Sequence, residues 1–511
     1  MKEFFSKLGR KLTGRKGIGN VMTAVIIIAV VLVNVLSYTV TNAFGLYFYS
    51  PKETDLSLTG NTDELFAEAM LLEKKVTVTF CYPEDQLEKH DTGSFVLDTA
   101  RAFEEKYPSL IELKFVNLLT KLDEYGERWK DYEKYTKLEG VTLKQNSVIF
   151  ESGEGEEWNC RVITDVATSA GFVNFYTLDN SANIVAYNGE EIMASMISWV
   201  LNDEHPKVYF TQNHGETADI AFNNLLSCAG YDVRTINLRK EEIPDDAGMI
   251  IISNPTSDFE LSVENSTVRG EINKLEDYLE RGGKLYVALD PYVKELKNLE
   301  SMLQKWGIAL SGEVNEDGVY VRNIVKENSD AITPDGYTFV ATHADNEVSA
   351  TIRDKITSEG NDSVLISEVT RLELDESLGA KPILLSGSTS STHAGGKVTD
   401  REGEYAIAAY SRRTEHSGKE STVFVIPTAY ITATDAFLST NYSNKDFLYA
   451  TLETLFDANN APRGCNQVMY TSAILENLTM GKAKIFTAII LAIPAGLAVL
   501  GAITIIRRKN R

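Results

Sequence analysis

Two long uncharged stretches near opposite ends of the chain constrain it more than any other feature. From Val21 to Val40 the sequence reads VMTAVIIIAVVLVNVLSYTV, in which twelve residues are Val, Ile or Leu. At roughly -0.4 kcal/mol for each of these, insertion into a bilayer gains about 5 kcal/mol before the polar residues are set against it. From Ile485 to Ile506 the sequence reads IFTAIILAIPAGLAVLGAITII. Pro494 and Gly496 would interrupt a soluble helix but are tolerated in a membrane, where neighbouring groups re-satisfy the freed backbone. Transmembrane helices are therefore expected over 21–43 and 485–506. A cleaved signal peptide is the rival reading of the first. Its apolar run exceeds the usual h-region of roughly 7–15 residues, and Thr41-Asn42-Ala43 is a poor cleavage site.

The flanks orient both segments. Lys2, Lys7, Arg10, Lys11, Arg15 and Lys16 precede the first, and Arg507, Arg508, Lys509 and Arg511 follow the second. Excess Lys and Arg mark cytoplasmic loops, so both basic tails, 1–20 and 507–511, are expected in the cytoplasm. The expectation is a two-pass protein of a bacterial cell membrane with its main body on the outer face. Tails this short cannot fold around a nucleotide. No G-x-x-x-x-G-K-[ST] loop occurs, since Gly395-Gly396-Lys397 lacks both the spacing and the following hydroxyl. The formal charge is -23 although both ends are basic. So acidic a body repels phosphate backbones, which argues against nucleic acid as a partner. Cys81, Cys160, Cys228 and Cys465 are widely spaced and form neither a C-x-x-C pair nor a zinc-ligand set. No metal or cofactor is expected.

Between the spans the pattern is mixed α/β, in two expected domains. Over 60–203, strand VTVTFCY (76–82), a helix through Val96, Ala100 and Phe103, strand LIELKFVN (110–117), a hairpin around Gly153–Gly155 and a helix from about Glu190 to Leu201 give a thioredoxin-like order. Cys81 stands where a thioredoxin carries its first cysteine, but the second is missing and no basic residue adjoins it. A structural thiol is expected there. Over 205–460, strands at 207–211, 232–238, 248–253 and 284–289 alternate with helices, which predicts a parallel sheet covered on both faces, of flavodoxin- or amidotransferase-like kind. The strand-rich part beyond 310 is expected to extend that sheet. The run Ser386–Gly396, rich in Ser, Thr and Gly, reads as a mobile loop.

In parallel sheets, ligands bind beyond the carboxyl ends of the strands. Three polar turns fall there: Gln212–Glu216, Asn254-Pro255 and Asp290-Pro291. The candidate ligand or interaction residues are Asn213, His214, Gly215, Glu216, Asn254 and Asp290, with His214 and Glu216 as the ionisable pair. The same residue types also serve plain turn chemistry, which is the favoured reading. No G-x-S-x-G elbow occurs, so no catalytic residue is assigned.

Thr54-Asp55-Leu56-Ser57, Asn188-Gly189-Glu190-Glu191, KVYFTQNHGE (207–216), IPDDAGMIIISNP (243–255), YLERGGKLYVALDP (278–291) and the final span ending in arginines occur in that order. In this the chain resembles the GldG-like family, auxiliary components of ABC-type transport systems linked to gliding motility. The likeness is weak over about 310–400. The resemblance implies a non-catalytic accessory subunit that works with a separate permease and a separate ATPase, and that presents its body to a wall polymer or other extracellular ligand. The alternatives are an extracytoplasmic hydrolase or a solute-binding receptor using the turns at 212–216, 254–255 and 290–291.

Overall fold

The computed structural model describes residues 56–469 apart from 125, 130–131, 139–140, 164–174, 179–183, 217–218, 263–268, 358–360, 438, 440 and 459–460. Both apolar runs and both basic tails lie outside the described residues. Among those described, no helix is long and apolar enough to cross a membrane. Leu56–Val468 form one compact unit, and both expected domains lie inside it.

Val76–Phe80 (β1) is a strand with Val76, Val78 and Phe80 fully buried and Thr79, between them in the alternation, buried as well. It is the centre of a five-stranded sheet with Ile111–Asn117 (β2), Leu122–Asp123 (β3), Val148–Ser152 (β4) and Asn159–Ile163 (β5), in the order β3-β2-β1-β4-β5. β1 runs parallel to β2 and antiparallel to β4. A parallel neighbour needs a crossover. Helix Gly93–Lys106 supplies it, burying Val96, Leu97, Ala100 and Phe103. Ahead of it in the chain, helix Thr62–Leu71 sets Phe66 against Phe103 and Tyr107. Cys81 is fully buried and desolvation pushes its thiol pKa up, so it is the inert kind of cysteine. The described cysteines are all free thiols.

The second sheet has eleven strands, nine in one path and two, Ile308–Leu310 and Leu372–Leu374, off it. Its parallel block comprises Lys207–Thr211 (β6), Asp232–Ile236 (β7), Ala247–Ser253 (β8), Lys284–Ala288 (β9) and a late strand, Glu420–Ile426. Three further strands, Thr338–His343 (β10), Val364–Ser367 (β11) and Ala380–Leu385 (β12), and then Ala406–Thr414 (β13), continue it antiparallel. With Glu420–Ile426 as β14, the order is β11-β10-β12-β13-β14-β9-β8-β6-β7. Much of the region beyond 310 thus extends this sheet, while Gly312–Val314 with Tyr320–Arg322, and Ile324–Lys326 with Ser390–Ala394 and Lys397–Gly403, form two small sheets of their own. Strand β8 shows why its sequence is unbroken Met-Ile-Ile-Ile. Met249 and Ile251 enter one core with Phe222, Leu225 and Phe447, while Ile250 and Ile252 enter the other with Ile272, Leu275 and Leu299. A sheet covered on both faces leaves no position for alternation. Helices Ile220–Cys228, Glu347–Thr357 and Asn444–Leu455 cover the first face, and Glu271–Glu280 and Lys297–Lys305 the second.

One expectation is corrected. Ser386–Gly396 is not a mobile loop: Ser390–Ala394 is a strand paired with Ile324–Lys326 and Lys397–Gly403, and Ser386, Ser390 and Thr392 are fully buried. The Glu327 carboxylate makes this possible. It accepts from the hydroxyls of Thr389 and Ser390 and from the backbone amides of Asn328 and Ser329. Burial opposes ionisation, but these donors outweigh it and hold the acid at about 2.

Candidate functional site

The three polar turns leave the carboxyl ends of β6, β8 and β9, which are parallel and mutually adjacent, so they follow one another along a single sheet edge. Backbone bonds tie them together. Thr256 N and Ser257 N donate to His214 O at 2.8 and 2.9 Å, and Asn254 N donates to Ala288 O at 2.8 Å. The turns need unusual backbone: Asn213 (φ 81°), Gly215 (φ 78°) and Asn254 (φ 50°) are all left-handed. A side chain at Gly215 would place its Cβ 2.0 Å from Thr256 Oγ1, so the position accepts only glycine without rearrangement.

His214 does not face solvent. It is fully buried, its ring stacked on Phe259 with centroids 3.8 Å apart. Nδ1 lies 3.1 Å from Glu216 Oε1 and Nε2 lies 2.9 Å from Glu271 Oε2. Both carboxylates are held from behind. Thr211 Oγ1 donates to Glu216 Oε1 at 2.9 Å and His214 N to Oε2 at 2.6 Å, while Glu260 N donates to Glu271 Oε2 at 2.9 Å. Burial alone would lower the imidazole pKa. The hydrogen bonds to Glu216 and Glu271 outweigh it and raise the pKa to about 9, so at neutral pH the ring is a cation between two anions. Burial would raise the two acids, but their bonds to His214 leave both below the ordinary carboxylate range. With both ring nitrogens engaged, the group braces the turn and has no free nitrogen to move a proton to a ligand.

Asp290 lies further along the edge, accepting from Tyr292 N at 2.7 Å. Two tyrosines that the sequence reading did not single out stand beside it. β9 and β14 pair in register at Ala288 and Ile426, and Tyr292 and Tyr430 each follow four residues later, exposed by 61% and 41%. Burial and then the facing Glu368 carboxylate push the Tyr292 phenol up to about 12, and a hydrogen bond to Glu368 raises that of Tyr430. Asp290, Tyr292, Glu368 and Tyr430 form the solvent-facing end of this edge.

A second constellation lies at Asn188–Glu191, where helix Gly189–Leu201 begins. Glu190 is buried, and its carboxylate receives both ends of the compact unit. Oε1 accepts from Thr59 N (2.6 Å) and Gly60 N (2.8 Å), and Oε2 from Thr59 Oγ1 (3.1 Å) and Asn466 N (2.5 Å). Gln467 Nε2 bonds to Asn188 Oδ1 at 2.5 Å. The neighbouring acid, Glu191, turns to helix Asn444–Leu455, pairing with Lys445 Nζ at 2.8 Å and accepting from Tyr449 OH at 2.7 Å. Acids in the first turn of a helix also suit its positive end. The sequence placed this tetrapeptide as a helix opening and as one of the stretches of the GldG-like resemblance. Its partners, 131 and 276 residues away from Glu190, carry no local signal.

No protein-family profile matches the chain, and no curated protein matches it. Solved structures similar to it include the mmIFT52 N-terminal domain, at 14% identity and TM-score 0.35 over 49% of this chain and 97% of that one. Others are the cytoplasmic protein STM3548 from Salmonella typhimurium, at 10% identity and TM-score 0.28 over 49% and 98%, and the exo-beta-1,4-mannosidase Op5Man5 from Opitutaceae bacterium strain TAV5, at 12% and 0.25 over 54% and 41%. What these residues define is a mixed α/β body with parallel and antiparallel sheets, a braced polar edge and its two chain ends fastened on one carboxylate.

Proposed function

We propose that the chain is a two-pass, non-catalytic accessory subunit of an ABC-type transporter of the GldG-like kind, with its body on the outer face of the membrane. In this reading residues 60–203 form a thioredoxin-like unit and 205–460 a flavodoxin- or amidotransferase-like one, and a separate permease and ATPase supply transport. The observation that carries the reading is the Glu190 carboxylate. A body strung between two membrane segments whose outer ends are both cytoplasmic must return its two connecting segments to the same membrane face. Thr59, Gly60 and Asn466 meeting on one side chain brings the two connecting segments out together, which supports that threading. The order of shared sequence stretches supports the GldG-like assignment, and the sealed ring of His214 supports a non-catalytic role.

Purification of the full-length chain from its native membrane in mild detergent tests the reading. A nucleotide-binding subunit is expected to accompany it, and external protease on intact cells is expected to reach the body. A clean monomer whose body resists that protease overturns it. A solute-receptor role is favoured by one separate observation, the exposed Tyr292 and Tyr430 around Glu368 beside Asp290. Thermal shift against a panel of small metabolites, with Tyr292→Ala as control, distinguishes that role.

A further inference from the structure

We propose that Glu190 is a latch: the segments 57–61 and 463–468 are held closed together by this one carboxylate, and they open together when it lets go. The proposal deepens the tethered-subunit reading and rests on it for its purpose, though not for its test. Each oxygen is doubly used, Oε1 by two backbone amides of the incoming segment and Oε2 by one group from each segment. The segments are also knitted directly. The Thr59 hydroxyl, with one proton for Glu190 Oε2 or Gly464 O, lies 3.1 Å from each; Asn61 N donates to Arg463 O at 3.2 Å, and a Cβ on Gly60 would lie 2.7 Å from Cys465 Sγ. Neither segment can leave without breaking bonds that hold the other.

The latch is wired to the large sheet. Glu191, the next residue, grips Lys445 and Tyr449, while Gly464 N donates to Asp446 Oδ1 at 3.1 Å on the same helix. Arg463, just before it, is held by Glu453 at 3.0 Å. A pull on either connecting segment is therefore delivered to helix Asn444–Leu455, which packs on the sheet core through Phe447, Leu448 and Leu452. In a subunit anchored at both ends, such a device reports movement of the membrane segments to the body.

An isosteric change exposes the device. In E190Q one oxygen becomes an amide nitrogen, which cannot accept, so whichever way the amide turns, donors that one oxygen had satisfied are left facing a donor. Hydrogen exchange is measured on the full-length chain in detergent micelles for E190Q and for Thr59→Val, which removes the hydroxyl shared between Glu190 Oε2 and Gly464 O and leaves the amide bonds to Glu190 in place. Both segments are expected to exchange faster by about tenfold or more in E190Q, and by a common factor in each variant, while Met249–Ile252 stay protected over the same window. Acceleration of one segment alone, or loss of protection in Met249–Ile252 alongside, overturns the latch. Because this readout is internal to the folded body, a failure here leaves the membrane threading standing, and failed threading in the protease test leaves the latch standing.

Discussion

Two of the molecule's buried carboxylate centres solve the same problem differently. Around His214, two acids share one cation, and the three ionisable groups lie within one turn and one helix start on the same sheet edge. Around Glu190, a single acid is satisfied by backbone amides and a hydroxyl drawn from distant parts of the chain. Buried charge is tolerated only when paired or fully hydrogen-bonded, and the molecule uses one solution at each place. The difference assigns them different work: the charged centre fixes the shape of a turn, whereas the neutral-donor centre decides where the chain ends meet.

That contrast is easiest to break at His214. Its removal leaves Glu216 and Glu271 buried, like-charged and without their shared cation. His214→Ala is expected to cost about 3–5 kcal/mol in denaturant unfolding, the range for breaking a buried ion pair. A loss below about 1 kcal/mol would mean that the carboxylates are already relieved by solvent and that the brace is dispensable. Next in size is Gly215→Ala. With φ at 78° and Thr256 Oγ1 in the way, it is expected to cost about 1–3 kcal/mol and to loosen the turn at 254–257 as well, seen as faster exchange of the Thr256 and Ser257 amides.

pH sharpens the comparison, because only one centre holds a cation that titrates near neutrality. His214 has a folded pKa of about 9, above its ordinary 6.5. Its contribution is therefore complete below about pH 6.5 and is lost as pH rises through 9. Glu216 and Glu271 are lowered, so their contribution is present above the ordinary carboxylate value and is lost on acidification. Stability is expected to fall between pH 6.5 and 9 with a slope of at most about 1.4 kcal/mol per unit from this residue. Chemical denaturation at pH 6, 7.5 and 9 measures it, and His214→Gln is expected to flatten the slope.

How legible this was from sequence depended on how far apart the partners lie. Strands such as Ala247–Ser253 and Lys284–Ala288 announce themselves, because a strand buried on both faces must be apolar throughout. The polar turns were visible for the related reason that tight turns demand Asn, Gly and Asp. What sequence could not show is that His214 finds Glu271 57 positions later and is sealed by it. Nor could it show that Ser386, Ser390 and Thr392 are buried, with Ser390 bonded to Glu327, since Ser, Thr and Gly look the same in a loop as in a satisfied polar core. Glu190 was legible as a helix opening and as part of a shared tetrapeptide. Its role is invisible in both, because it is defined by residues that only the fold brings to it.

The smallest expected effect on stability separates bracing residues from presented ones along the same edge. Tyr292 is exposed by 61%, and its ring stacks on no other described aromatic, so Tyr292→Ala is expected to change unfolding free energy by no more than about 0.5 kcal/mol. The Tyr430 phenol, raised first by its hydrogen bond to Glu368 and then by burial, is expected to stay raised in that variant, since Glu368 itself remains. Tyr430→Phe is the stricter variant, removing the hydroxyl that bonds Glu368 while keeping the ring. If either costs as much as Gly215→Ala, the outer end of the edge is part of the brace, and the division between a sealed histidine centre and an offered tyrosine surface fails.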